Sequence, residues 1–201
     1  MDETIPGILK KLLADTKYPE QFADAFTSTT ISENAVLQSL SQFMLTIISC
    51  NSKYDSVISG LKTFTDQEKK GYVLFKKNCA SCHTEPLFTN GKFENNGLMI
   101  DEDLNDWGRM KISGKQSDSL RFKVPTLRNI EYSYPYMHDG RFKTLGQVLN
   151  NYTRGIQHGP TLSPALKKGI YLTPDEKVDM VAFLLTLSDK EFLRDKRFGF
   201  H

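Results

Sequence analysis

The segment Cys79-Ala80-Ser81-Cys82-His83 constrains the fold of this chain more than any other feature. A covalently attached haem needs two thiols on one side of a turn and an adjacent imidazole that falls under the iron. Cys79 and Cys82 provide the two thiols, and His83 provides the proximal imidazole. We therefore predict haem c as the cofactor, held by a turn that follows a helix.

Two other uses of the cysteine pair remain as alternatives. A zinc site requires a second pair of Cys or His at ligand spacing, and no such pair follows His83. A thiol-redox motif of the thioredoxin type requires a preceding strand and alternating strands and helices, a pattern that this sequence lacks. The third cysteine, Cys50, ends an apolar helical run and is expected to be a buried small apolar residue.

The charge pattern excludes several function classes. In 201 residues, 26 Lys and Arg balance 24 Asp and Glu, and both signs are spread along the chain, so no nucleic-acid partner is indicated. The longest apolar run near the C-terminus, residues 181–185, is far shorter than the roughly 20 residues of a membrane span. The opening residues also lack the pattern of a secretion signal.

Four capping boxes predict helices, because a Ser or Thr followed three residues later by Glu or Gln marks a helix start. The pairs are Thr30 with Glu33, Thr65 with Glu68, Thr144 with Gln147, and Thr173 with Glu176. The first helix is expected to reach Cys50 with Val36, Leu40, Phe43 and Ile47 on its apolar face. The second carries Tyr72, Val73 and Phe75 on its buried side, the third closes at Gly155, and the fourth buries Val178, Val181, Phe183, Leu184 and Leu187.

Between His83 and Thr144, frequent Gly and Asn predict loops and short turns that wrap the cofactor.

The second axial ligand sets the reduction potential and the reactivity of a haem iron. Methionine raises the potential, whereas histidine or tyrosine changes both properties. The downstream candidates are Met99, Met110, Met137, His138, Tyr152, His158 and Met180. Met180 lies on the terminal helix and is expected to pack in the core. Met137 lies in a loop just before a helix, where a small mono-haem cytochrome carries its methionine.

The block from Phe122 to Gly155 resembles the bacterial di-haem cytochrome c peroxidases and the related methylamine-utilisation di-haem enzyme. The matching elements are Val124-Pro-Thr-Leu-Arg-Asn129, then Pro135-Tyr-Met-His-Asp-Gly140, then Thr144, Leu145, Val148 and Tyr152. Leu149 replaces a valine of the family pattern. The similarity continues upstream through Asn95-Asn96-Gly97-Leu98 and back to Tyr18-Pro19.

The resemblance implies roles for individual residues. Tyr152 falls at the second axial ligand of the family's C-terminal haem, with Met137 as the runner-up. Arg128 is expected to pair with a haem propionate, and His138 to hydrogen-bond within the pocket. The family also holds a calcium ion between its haems, and the matching backbone carbonyls are those of Ser133 and Pro135.

The resemblance also implies an all-α cytochrome c-like fold. Residues 61–201 would form the haem domain, and residues 1–60 a helical segment like the tail of the family's first haem domain. The chain would then be the electron-transferring C-terminal portion of a periplasmic peroxidase that reduces hydrogen peroxide to water, with a small cytochrome or copper protein as donor. A homodimer is common in the family. By itself this portion is expected to transfer electrons without peroxide turnover; the alternative is a free-standing mono-haem electron-transfer cytochrome.

Overall fold

The computed structural model describes residues 3–26 and 30–199 and forms two compact units, Met1–Ile48 and Ser49–His201. Residues 49–60, which the family resemblance groups with residues 1–48, lie in the C-terminal unit. Hydrogen bonds explain this placement: the Asn51 amide donates to Asp189 at 2.9 Å, and the Tyr54 amide donates to the Thr186 carbonyl at 3.0 Å.

The N-terminal unit contains three helices, α1 (Ile5–Ala14), α2 (Tyr18–Phe26) and α3 (Glu33–Thr46). The prediction that Thr30 caps the third helix is wrong. Ser32, in extended backbone immediately before Glu33, accepts the Ala35 amide instead and begins the helix.

The apolar face predicted for α3 is only partly covered. Val36 is buried, whereas Leu40, Phe43 and Ile47 are 44–54% exposed. The helix also ends at Thr46, four residues before Cys50, whose side chain is exposed and not buried as expected. Helical spacing therefore identified the apolar stripe, but it did not show which part of the stripe is covered.

The C-terminal unit contains five helices in its described part. They are α4 (Lys53–Ile58), α5 (Asp66–Asn78), α6 (Met110–Ser113), α7 (Leu145–Asn150) and α8 (Pro174–Leu185). Thr65, Thr144 and Thr173 form reciprocal capping boxes with Glu68, Gln147 and Glu176, which confirms those three predicted helix starts. A further capping box, Ser52 with Asp55, begins α4.

The long region before Thr144 consists mostly of loops, as predicted. It also holds a two-residue antiparallel pair that was not predicted, β1 (Phe93–Glu94) with β2 (Phe122–Lys123). Short 3₁₀ turns occupy Gln116–Asp118, Ile130–Tyr132, Pro164–Leu166, Phe192–Arg194 and Lys196–Phe198. Among the described residues, no helix is long and apolar enough to cross a membrane.

Helices α5 and α8 cross at very close range, and this crossing is the centre of the core. A Cβ atom built on Gly71 would lie 2.7 Å from the Asp179 carbonyl carbon and 2.8 Å from the Phe183 Cβ, so only glycine fits there. Phe75, Met180 and Phe183 are fully buried around the crossing. The prediction that Met180 packs in the core is confirmed.

Two valines predicted to lie on the buried faces of these helices are exposed. Val73 on α5 is 62% exposed and Val178 on α8 is 57% exposed. The prediction is wrong at both positions because each helix turns only a narrow face to the other. The elements described are mainly helical, as the predicted all-α class requires.

Candidate haem site

The two cysteines and the histidine lie on a tight turn at the end of α5. Cys79 is the C-cap residue, and its amide donates to the Phe75 carbonyl at 2.8 Å. The amides of Cys82 and His83 both donate back to the Cys79 carbonyl, at 3.2 and 2.9 Å. Both cysteines are free thiols. The helix end thus brings two thiols and an imidazole into one small region, as the sequence predicted.

The His83 ring is oriented by two backbone carbonyls. Its Nδ1 atom lies 3.1 Å from the Phe88 oxygen and 3.2 Å from the Pro125 oxygen. Both neighbours are acceptors, so Nδ1 carries the proton and Nε2 keeps its lone pair for a metal. Burial lowers the pKa of His83, although the two carbonyls oppose this shift in part. The imidazole is therefore neutral at pH 7 and suited to ligate iron.

The loop after His83 is fastened to the segment that contains Pro125. The Thr126 hydroxyl donates to the Leu87 carbonyl at 2.5 Å, and the Thr89 hydroxyl donates to the Val124 carbonyl at 2.6 Å. These bonds hold the carbonyls that orient the imidazole. The proximal side of the site is therefore a two-segment clamp and not a free loop.

Arg128 extends the same clamp to α4. Its guanidinium donates to both Asp55 carboxylate oxygens, at 2.8 and 2.9 Å, and its Nε donates to the Pro86 carbonyl at 3.0 Å. Burial would raise the pKa of Asp55, but hydrogen bonds from Arg128 and Ser52 outweigh it and lower that pKa. The structure thus gives Arg128 a protein carboxylate as its partner, and its expected role toward a haem propionate stays a prediction.

Tyr152 lies on a π-helical turn, Asn151–Gly155, that continues α7. Such turns occur frequently at functional sites. Gly155 is the last residue of this turn and Ile156 follows as the cap, so the prediction that Gly155 caps α7 is wrong. The cause is the wider π turn, which carries the helix five residues beyond Asn150.

The phenol of Tyr152 lies beside the side-chain amide of Asn96. Burial raises the pKa of Tyr152, the hydrogen bond from Asn96 opposes this, and the charges of ionised Cys79 and Cys82 would raise it further. The Asn96 amide nitrogen is 3.5 Å from the Tyr152 hydroxyl and 3.5 Å from the Met137 sulphur. The two candidate second ligands therefore meet at one amide.

The thiols are poorly ionised in this environment. Burial, followed by the charge of Cys82, raises the pKa of Cys79 to about 12. Burial also raises the pKa of Cys82, with a partly compensating hydrogen bond from Ser81. Reactive cysteines of redox enzymes have depressed pKa values, so this microenvironment differs from theirs.

Other predicted residues have different surroundings. The His138 ring stacks on Phe122, with centroids 3.7 Å apart and an interplanar angle of 14°. Met99 and His158 are exposed, which leaves them away from the interior. Ser133 follows a 3₁₀ turn, and its hydroxyl donates to the Ile130 carbonyl at 3.4 Å. The calcium role of the Ser133 and Pro135 carbonyls stays a prediction.

The donor set fits a haem c. Two thiols within one turn match two thioether bonds, and the neutral imidazole with its protonated Nδ1 tied to carbonyls matches a proximal ligand. For the second ligand the candidates are the Tyr152 phenol and the Met137 thioether, which both lie 3.5 Å from the Asn96 amide nitrogen. In the described ranges 3–26 and 30–199, no group of three or more His, Cys, Asp or Glu side chains is arranged to hold a metal ion.

Two protein-family models match this chain. The cytochrome c family model matches residues 68–188, and the model of the di-haem cytochrome c peroxidases matches residues 1–63. The chain belongs to the di-haem cytochrome c peroxidase family. The resemblance in the block from Phe122 to Gly155 is thereby confirmed at the level of the family.

Individual family members agree with this assignment. Cytochrome c551 peroxidase of Nitrosomonas europaea is 34% identical over 186 residues, which is 90% of this chain and 52% of that protein. Methylamine utilization protein MauG of Methylorubrum extorquens is 33% identical over 193 residues, 93% of this chain and 54% of that protein. The chain thus spans about half the length of the curated peroxidase-family relatives it matches.

Solved structures of the family show the same fold. A MauG-like protein associated with microbial copper homeostasis matches 99% of this chain and 66% of its own, with 31% identity and a TM-score of 0.80. The diheme peroxidase BthA from Burkholderia thailandensis matches 96% of this chain and 60% of its own, with a TM-score of 0.71. At 20% identity, the second likeness supports the fold alone.

Asp55 and Asn96 contact residues of the candidate haem site, and the sequence analysis assigned neither of them a role. Asp55 pairs with Arg128 across 73 positions, and Asn96 contacts Met137 and Tyr152 across 41 and 56 positions. The run Asn95-Asn96-Gly97-Leu98 was recognised only as part of the family resemblance. The available signal was the Asn96-Gly97 pair, which is typical of a turn.

Proposed function

We propose that this chain is the electron-transferring haem c domain of a di-haem peroxidase. Cys79 and Cys82 form the thioether bonds, His83 is the proximal ligand and Tyr152 is the second axial ligand. The observation that carries this proposal is the Tyr152 hydroxyl, which lies 3.5 Å from the amide nitrogen of Asn96, in a chain whose CxxCH histidine is held by two carbonyls with its Nε2 free for iron.

When bound, the haem supplies a one-electron couple, and the protein side chains set its properties. Cys79 and Cys82, at the end of α5, would hold the ring through thioether bonds. The carbonyls of Phe88 and Pro125 fix the orientation of His83 and increase its basicity. Tyr152 supplies an anionic oxygen, which favours the ferric state and lowers the reduction potential. With His83 and Tyr152 both as ligands, the haem would relay electrons and would not cleave peroxide.

In the whole protein, we propose that a second haem with an open position reduces hydrogen peroxide to water. An electron-donor protein, such as a small cytochrome or copper protein, would reduce the haem of this chain. Haem c attachment in bacteria occurs outside the cytoplasm, so the periplasm is the proposed location. Calcium held by the Ser133 and Pro135 carbonyls, and a homodimer, belong to the same proposal.

The helix α3 supports a larger assembly of this kind. Its side chains Leu40, Met44 and Leu45 are 54–71% exposed. A stripe of this apolarity on a 14-residue helix is typical of a buried interface rather than of a free surface. We propose that the other haem domain covers it.

A free-standing mono-haem electron carrier is the second candidate function. The Met137 sulphur favours it, because it lies as close to the Asn96 amide as the Tyr152 hydroxyl does. A methionine ligand would raise the potential of the haem. Ligand identity therefore separates the two candidates.

The test uses the full chain produced with haem c maturation machinery. Tyr152→Phe should change the optical and electron paramagnetic resonance spectra of the oxidised chain and raise its potential. Met137→Leu, and Tyr171→Phe at a tyrosine that is 85% exposed, should leave both unchanged. A methionine-type spectrum that is lost in Met137→Leu would favour the electron carrier. Absence of covalent haem after maturation would contradict both functions.

A further inference from the structure

We propose that Asn96 is a positioning residue of the haem, which tunes the reduction potential by donating a hydrogen bond to the Tyr152 oxygen. This inference rests on the proposed function, since it assumes that Tyr152 ligates the iron. It adds a residue that never contacts the iron and acts only through the second ligand.

The direction of the Asn96 amide is fixed by its own loop. Its Oδ1 atom accepts the Leu98 amide at 3.2 Å, so the oxygen is turned toward the backbone and Nδ2 toward Tyr152. A side-chain amide nitrogen carries two N–H donors. One donor can therefore bond to the Tyr152 oxygen while the other approaches the Met137 sulphur, both at 3.5 Å.

The loop that carries Asn96 is pinned to the chain that follows Tyr152. The buried Asn95 accepts the Gly97 amide at 2.8 Å and donates to the Thr161 hydroxyl at 2.9 Å. The Gln157 amide donates to the Gly97 carbonyl at 2.8 Å. Asn96 thus cannot move independently of the segment after the π turn.

Gly97 makes this close approach feasible. Its φ of +72° lies in the left-handed region, and a Cβ there would approach the Ile156 Cγ2 to 2.6 Å. The loop therefore packs with its backbone directly against residues 156 and 157. The amide of Asn96 is held at a set place relative to the tyrosine.

Met137 closes the other side of the amide. Its φ of +74° is uncommon for a residue with a side chain, and the neighbouring bond from the Tyr136 amide to the Phe142 carbonyl, at 2.7 Å, keeps the backbone there. The sulphur is a weak acceptor. It therefore competes only weakly with the Tyr152 oxygen for the N–H groups of Asn96.

The electronic consequence follows from the direction of donation. An N–H that donates to a tyrosinate oxygen withdraws electron density that the oxygen would otherwise give to the iron. The ferric state is then less favoured, and the potential is higher than with an unbonded tyrosinate. Loss of the donor should lower the potential.

The test is a redox titration of the full haem-loaded chain, in a double-mutant cycle. Leucine has a similar size to asparagine but no hydrogen-bond donor. In Asn96→Leu, the ratio of reduced to oxidised haem at a fixed ambient potential should therefore fall about tenfold, which corresponds to a reduction potential lower by about 59 mV. The tyrosinate spectrum should persist. In the Tyr152→Phe background the same substitution should produce no shift, because the oxygen through which Asn96 acts is gone. Tyr171→Phe, at an exposed tyrosine, is the control and should retain the wild-type potential.

The outcomes separate this inference from the proposed function. An unchanged potential in Asn96→Leu, or an equal shift in both backgrounds, overturns the role of Asn96 and leaves the ligand assignment intact. If Tyr152→Phe itself alters neither spectrum nor potential, Tyr152 is not a ligand, and both proposals fail.

Discussion

The carboxylate of Asp55 receives two hydrogen bonds from the guanidinium of Arg128, at 2.8 and 2.9 Å, in a pair that is largely buried. The same guanidinium holds the Pro86 carbonyl in the loop after His83. A planar fork of donors is needed for this arrangement, and the ammonium of lysine cannot provide one. The pair therefore ties α4 to the proximal side of the haem site.

Arg128→Lys should lower the free energy of unfolding by about 2 kcal/mol, because Asp55 loses its bidentate partner and Pro86 its donor. Chemical denaturation of the haem-loaded chain measures this loss. Arg197→Lys is the control, since Arg197 and Asp195 form an ion pair in which the arginine is 73% exposed, and no measurable change is expected there. Equal effects in the two variants would contradict the structural role of Arg128.

Glu85 makes stability depend on pH in the acid range. Burial would raise its pKa, but hydrogen bonds from Lys76, Tyr54 and Tyr72 outweigh burial and lower it. A carboxyl with a lowered folded pKa stabilises the fold above its unfolded pKa of about 4.3, and this stability is lost as pH falls through the folded pKa. Tyr54 donates at 2.5 Å and Tyr72 at 2.8 Å.

Tyr54→Phe removes one of these donors and should raise the pKa of Glu85 toward its ordinary value. The free energy of unfolding should fall by about 1–2 kcal/mol at pH 7, and the loss of stability on acidification should begin at higher pH. Unfolding curves recorded between pH 3 and pH 7 test both effects. Tyr171→Phe, at an exposed hydroxyl, should reproduce the wild-type curve at every pH.

Gly71 should tolerate no side chain. Alanine normally favours a helix interior over glycine, yet here the added methyl group meets the Asp179 backbone and Phe183 of α8. Gly71→Ala should therefore lower the free energy of unfolding by about 3 kcal/mol. Gly146→Ala is a matched helical control, because its Cβ would meet only the Thr144 hydroxyl at 3.8 Å. That variant should be as stable as the wild type or slightly more so, and a similar loss in both would contradict the close crossing.

Local signals in the sequence predicted the parts of the fold that depend on neighbouring residues. Thr65, Thr144 and Thr173 begin helices because capping is settled within four residues. The turn of Cys79, Cys82 and His83 is equally local. Thr30 failed as a cap only because Ser32, two residues later, offers the same hydroxyl immediately before Glu33.

The features that sequence reasoning missed depend on contacts between distant segments. Val73 and Val178 have helical apolar spacing, but the narrow α5–α8 crossing leaves them exposed. The π turn at Tyr152 has no sequence signature, and the Asn95–Gly97 loop is held by bonds to Tyr152, Gln157 and Thr161, all more than 50 positions away. Family resemblance named Tyr152, whereas only the structure placed Asn96 beside it.

The raised pKa of Cys79 makes its thiol nearly unreactive in the folded chain before haem attachment. Alkylation requires the thiolate, and at pH 8 a pKa of about 12 leaves roughly one thiol in 10,000 ionised. In the chain produced without maturation machinery, iodoacetamide should therefore modify the exposed Cys50 first, Cys82 more slowly and Cys79 last, as followed by peptide mass spectrometry. In guanidinium chloride the three rates should converge, because the burial that raises the pKa of Cys79 is lost on unfolding. Equal rates at all three cysteines without denaturant would contradict a preformed turn at the end of α5. The haem-loaded chain is the control: after denaturation it should accept a single alkyl group, at Cys50, because Cys79 and Cys82 are then bonded to haem.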